Sequence, residues 1–125
     1  MILDTCALLF LANGDRRLSR SARQRLGREP VRWFCAISSF EIALKHRQGK
    51  LELPLAPLRW LRNLEARYAL TELPLDSALC VAATELPPHH RDPFDRFIIA
   101  AALRLHVPVV TIDPKFTPYG VEVVC

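Results

Sequence analysis

Apolar runs of strand length alternate with stretches of helical period along almost the whole chain. "MILD" (1–4) predicts a first strand, and "TCALLFLAN" after it a helix. "SRSARQRLG" predicts a second, basic helix ended by Gly27. "VRWFCAI" (31–37), rich in β-branched and aromatic residues, predicts a strand. In "SSFEIALKHRQGK" the spacing of Phe40, Ala43 and Leu44 predicts a helix, which Gly49 closes. Pro54 and Pro57 break the chain before a helix over 55–68, where Leu58, Leu61 and Leu64 recur and Arg59, Arg62, Glu65 and Arg67 take much of the other face. "LTELPLD" (70–76) predicts a short strand, and "SALCVAATEL" a helix stopped by Pro87-Pro88. A long helix then runs from the Asp92 region to His106. "VPVVTI" has the continuous apolar character of a strand buried on both faces, and "VEVVC" closes as an edge strand.

Strands alternating with helices imply a mostly parallel sheet covered on both faces. With 125 residues and no repeat, low-complexity segment or linker, one domain over 1–125 is expected. A hydrophobic fraction of 50% and a charged fraction of 24% exclude a disordered chain. No apolar run approaches the roughly 20 residues of a membrane span. The apolar N-terminus lacks a basic flank and carries Asp4, so it reads as a strand and helix and not as a signal peptide. Cys6, Cys35, Cys80 and Cys125 are scattered, with no zinc spacing among cysteines and histidines. Reduced thiols buried as small hydrophobes in a cytoplasmic protein are the expectation.

Charge changes the picture in two places. The net charge is +4, and six of the 14 arginines fall between Arg16 and Arg28. A solvated helix face accounts for them, and so does contact with phosphate, which guanidinium forks match. Arg16, Arg17, Arg20 and Arg23 are the candidate phosphate contacts.

The acids are more informative. Asp4 ends the first strand, Glu41 lies one helical turn past the strand that stops at Ile37, Asp92 and Asp95 open the long helix, and Asp113 follows "VVTI". Each has an ordinary use. Asp92 suits an N-cap with Pro93 at the first helical position and Asp95 in the first turn. Ser38 to Glu41 has the form of a capping box, and Asp4 and Asp113 could also cap. Together they point further, because parallel strands deliver their C-terminal ends to one sheet edge, where α/β folds bind ligands. Two carboxylates ~5 Å apart repel by about 3 kcal/mol at an effective dielectric of 20. A cation must offset that. Oxygen ligands with no Cys or His close by select Mg²⁺ or Mn²⁺. Such an ion beside an arginine-rich arm suggests phosphodiester cleavage.

"MILDTCALL", "ISSFEIALKHRQGKLELP", "HHRDPFDRFIIAAAL" and "VVTIDPKF", in that order, resemble the PIN-domain family, in particular its VapC-type bacterial toxin branch. The resemblance covers essentially the whole chain. It implies an α/β, PIN-like three-layer fold and a Mg²⁺-dependent endoribonuclease, with Mn²⁺ able to substitute. By motif, Asp4, Glu41, Asp95 and Asp113 match the metal-holding catalytic acids. Thr5 and Thr111 flank acids as possible supports, and Asp92 is expected to cap, with a possible supporting part. Where relatives often carry His after "LDT", this chain has Cys6, which puts a role for that position in doubt. A homodimer and a cognate antitoxin, whose C-terminal tail enters the acidic site, are implied partners. Receiver and haloacid-dehalogenase folds also gather acids at strand ends, but Thr5-Cys6 lacks the second acid that each requires. The alternatives within the family are a housekeeping RNA-processing nuclease and a catalytically silent RNA-binding module.

Overall fold

A computed structural model describes residues 1–125. Five parallel strands form one sheet in the order β3-β2-β1-β4-β5. They are β1 (Ile2–Leu3), β2 (Arg32–Cys35), β3 (Leu70–Leu73), β4 (Val109–Val110) and β5 (Val123–Val124). The helices are α1 (Thr5–Asn13), α2 (Arg20–Arg28), α3 (Ala36–Arg47), α4 (Pro57–Tyr68), α5 (Ser77–Glu85) and α6 (Pro93–Leu105), with a 3₁₀ turn at Pro114–Tyr119.

Alternation along each strand makes the layers. Leu3, Phe34, Leu70, Val110 and Val124 join one buried cluster, with Leu8, Leu26, Leu61 and Leu64 from α1, α2 and α4. Their neighbours Ile2, Cys35, Leu73 and Val109 join the other, with Leu79, Ile98 and Ile99 from α5 and α6. Successive strand residues point to opposite faces, so even two-residue strands divide between two cores. The expected three-layer α/β fold is the one formed. No helix is long and apolar enough to cross a membrane.

Several expectations need correction. β2 stops at Cys35, and Ala36 and Ile37 already belong to α3. Phe40 is 56% exposed, and the buried residues of α3 are Ile37, Ser38, Glu41 and Ile42. A polar site occupies part of that helix's inner face, which defeats an apolar-spacing argument. On α4 the core takes Trp60, Leu61 and Leu64, while Leu58 stays exposed. Gly27 lies within α2, whose last residue is Arg28. Of the cysteines only Cys35 is buried; Cys80 is half-buried, and Cys6 and Cys125 are exposed.

The basic arm is partly structural. Arg23 donates to the carbonyls of Phe10, Asp15 and Leu18, tying α1 to α2. Arg17 pairs with Asp15 at 2.7 Å and lies over the Phe10 ring. Arg16 and Arg20 remain exposed.

The chain builds β1, β2 and β3 outward in one direction, then places β4 and β5 on the other side of β1. The direction of winding therefore reverses between β1 and β4, the position where open parallel sheets bind ligands.

Candidate active site

Asp4 leaves β1 at that reversal. It is the N-cap of α1, where its Oδ1 accepts from the Ala7 amide at 2.7 Å. Asp113 follows β4 and caps the 3₁₀ turn, Oδ1 accepting from the Lys115 amide at 2.9 Å. Asp92 caps α6 through the Phe94 amide, with Pro93 at the start, and this puts Asp95 in the first turn. The caps expected from sequence are thus formed, and capping engages a single carboxylate oxygen in each.

Glu41 behaves differently from expectation. Cys35, without a side-chain bond, precedes α3, so Ser38 and Glu41 lie inside the helix and form no capping box. The buried Ser38 hydroxyl instead accepts from the Thr5 hydroxyl at 2.9 Å and joins α3 to α1. Glu41 is buried and takes the Lys45 ammonium at 2.6 Å, one turn along the same helix. Thr111, fully buried, accepts from the Asp113 amide at 3.0 Å. Of the two threonines, Thr111 bonds to the acids directly, while Thr5 bonds to Ser38.

His90 is the residue that sequence reasoning missed. It is 5% exposed, and its Nε2 lies 3.0 Å from Asp95 Oδ2 and 2.9 Å from Asp113 Oδ2. One ligand atom from each of the three falls within 4.8 Å of the others. The ring meets Phe116 edge-on, 5.7 Å between centroids. The expectation of acids with no histidine nearby is therefore wrong. His90 sits in a loop, where neither helical nor strand period applies, and the only signal was its place in "HHRDPFD". Arg96 and Tyr119 hold that loop. The Arg96 guanidinium donates to the carbonyls of Ala83, Leu86, Pro87 and His90, and the Tyr119 hydroxyl accepts from the His90 amide at 2.7 Å.

The electrostatics follow from burial and crowding. Burial pushes the Asp4 carboxyl up to about 6; hydrogen bonding from Thr111 and Ala7 opposes this, and the charges of Asp113 and Glu41 add to it. Asp95 is pushed up to about 7, first by burial and then by Asp92, Asp4, Glu41 and Asp113. Asp4 thus feels Asp113 and Glu41, and Asp95 feels Asp92, Asp4, Glu41 and Asp113, so these acids lie in one neighbourhood. The Lys45 ammonium and the His90 ring lie against them. Asp76, also just past a strand, is spent elsewhere: it caps α5 and takes Arg104 through both oxygens at 2.9 Å.

Such a cluster suits a hard divalent cation. Its donors are carboxylate oxygens, some desolvated, whose repulsion a +2 ion would relieve.

A parallel three-layer α/β protein with an acidic cluster at the switch point of its sheet is the class that fold and site define. Within it the PIN domain family matches residues 1–121. The chain belongs to that family. Ribonuclease VapC22 of Mycobacterium tuberculosis is similar, 29% identical over 116 residues that cover 92% of this chain and 88% of that protein. Among solved structures, FitAB bound to IR36 DNA fragment matches with a TM-score of 0.67 over 98% of this chain and 92% of that one. At 18% identity this likeness speaks to the fold alone.

Proposed function

We propose that the protein is a Mg²⁺-dependent endoribonuclease acting as the toxin of a toxin–antitoxin pair, one PIN domain over 1–125 in the cytoplasm. The carrying observation is that the fold forces Asp4, Glu41, Asp95 and Asp113 together and raises two of them toward neutrality through burial and mutual repulsion. Membership of the PIN family and the similarity to a named ribonuclease support the chemistry.

The four acids would hold the ion, with Mn²⁺ as a substitute. Bound there, a divalent cation supplies an activated water and neutralises phosphate charge. The chain's own residues prepare the place. Helix caps aim Asp4 and Asp113, Lys45 steadies Glu41, and Thr5, Ser38 and Thr111 fix the backbone around them. Burial, and then the charges of Asp4, Glu41 and Asp95, push the Cys6 thiol up to about 11, and Arg17 lies in the neighbourhood of that thiol. The arginine arm thus borders the acids, where it meets the RNA backbone mainly through Arg16 and Arg20. Asp92 acts as a cap. A homodimer and a cognate antitoxin complete the reading, and α4, with Leu58 exposed, is the surface put forward for a partner.

Purified protein should cut RNA with Mg²⁺ or Mn²⁺ and stop in EDTA while staying folded. Activity that survives exhaustive chelation overturns the mechanism. Expression alone should arrest growth, and co-expression of the neighbouring antitoxin gene should relieve it. A folded, RNA-cutting protein that leaves growth untouched would move the assignment to a housekeeping nuclease.

A further inference from the structure

By distance alone, His90 Nε2 with the oxygens of Asp95 and Asp113 makes a nitrogen–oxygen metal triad. A histidine ligand would shift such a site toward zinc and other first-row transition ions. The other ring nitrogen argues against that use. The Asp92 amide donates to His90 Nδ1 at 3.2 Å. A neutral imidazole has one N–H and one lone-pair nitrogen, so an N–H arriving at Nδ1 leaves the ring proton on Nε2. Nε2 then has no lone pair for a cation. It faces Asp113 Oδ2 at 2.9 Å and Asp95 Oδ2 at 3.0 Å, both acceptors.

We propose that His90 is a positioning residue for this acidic site, donating Nε2–H to Asp113 with the Asp95 carboxylate 3.0 Å from the same nitrogen, and not a ligand of the cation. The proposal rests on the metal-site reading above. An N–H that bonds Asp113 and lies 3.0 Å from the Asp95 carboxylate draws together groups that would otherwise repel. Asp113 is then held at both oxygens, Oδ1 by the Lys115 amide and Oδ2 by His90, with lone pairs left over for a metal. Donors of this kind behind ligating carboxylates set their orientation and sharpen affinity. The ring is fixed on every side that matters: Asp92 N–H on Nδ1, Phe116 packed perpendicular to it, and Arg96 and Tyr119 on its backbone. Since His90 contributes no nitrogen to the ion, the site keeps an all-oxygen donor set and its preference for Mg²⁺ and Mn²⁺.

Three measurements test this. In metal-free protein with ¹⁵N-labelled histidine, long-range ¹H–¹⁵N correlation at neutral pH should show His90 with its proton on Nε2 and a bare Nδ1. A proton on Nδ1, or on both nitrogens, overturns the assignment. In the Mn²⁺-loaded protein, electron spin echo spectra should lack a directly bound nitrogen; such a coupling, present in wild type and lost in His90→Gln, overturns it. In Mn²⁺ titrations, His90→Ala should bind roughly 10–100-fold more weakly. His90→Gln, whose amide N–H reaches a similar place, should recover most of that loss, and a Gln variant as weak as Ala overturns the role. If wild type binds no Mn²⁺ at all, the nuclease reading falls, while the tautomer spectrum still decides the hydrogen bond.

Discussion

A carboxylate has two oxygens, and at Asp4 and Asp113 the capping bond engages Oδ1. Asn caps as well as Asp but carries no charge. Asp4→Asn, Asp95→Asn and Asp113→Asn should therefore keep the thermal midpoint in metal-free buffer at neutral pH, or raise it by relieving repulsion, and should lose RNA cleavage. Asp92→Asn should stay active, whereas Asp92→Ala should lose on the order of 1 kcal/mol of stability. A normal rate in Asp95→Asn, with Asp92→Asn dead, would put the chemistry on the other aspartate of "DPFD". Titration of the acids fixes the sign of a pH effect. The folded state binds the Asp4 and Asp95 protons more tightly than the unfolded chain, whose carboxyls sit near 3.8. Their contribution is fully present below about pH 4 and is lost as pH rises through about 6 and 7. Chemical denaturation in EDTA should show this decline between pH 4 and 7 in wild type, and a flatter profile in a doubly substituted Asp4→Asn, Asp95→Asn protein.

Among the elements, the N-terminus of α6 carries the most consequence, because the same turn that presents Asp95 also presents Arg96 to the loop bearing His90. A lysine cannot reproduce a planar fork that serves several carbonyls. Arg96→Lys should cost about 2–3 kcal/mol and speed amide exchange at residues 86–91 more than elsewhere; uniform exchange would argue against a local clamp. At the C-terminus of α4, Ala69 sits in the left-handed region at φ 52°, where a Cβ is unfavourable. Ala69→Gly should raise stability by up to about 1 kcal/mol in urea denaturation. The same elements show what the sequence made legible. α1 is readable at both ends, from the Asp4 cap to Gly14, and α6 begins with a cap followed by proline. α3 misleads because β2 stops where its pairing with β3 stops, at Cys35 opposite Leu73, and no cap residue marks the change. Its serines resemble a helix start but serve a buried bond to α1. His90 was hidden for a similar reason, since only tertiary folding brings its loop against Asp95 and Asp113.

For the molecule as a whole, the proposed metal site sets mutually repelling acids where a cation would relieve them, so Mg²⁺ or Mn²⁺ should raise the thermal midpoint by binding the folded state. The increase should be largest near neutral pH and fade below about pH 6, where protons compete for Asp4 and Asp95. A midpoint indifferent to millimolar Mn²⁺ would show that no such site forms. The sheet order carries a different consequence, one of timing. β1 lies at the centre of the sheet, with its residues Ile2 and Leu3 paired on one side to Trp33 and Phe34 and on the other to Val109 and Val110. The second pairing closes nearly the whole length of the chain, a slow kind of contact to make. While the chain emerges from the ribosome, Asp4 and Glu41 come out early, but Asp95 and Asp113 arrive only with the last segments. The site is incomplete before β4 docks and brings in Asp113, so a chain stalled or clipped short of residue 109 holds a partial sheet and three of the four acids, and should leave RNA beside the ribosome that is making it uncut.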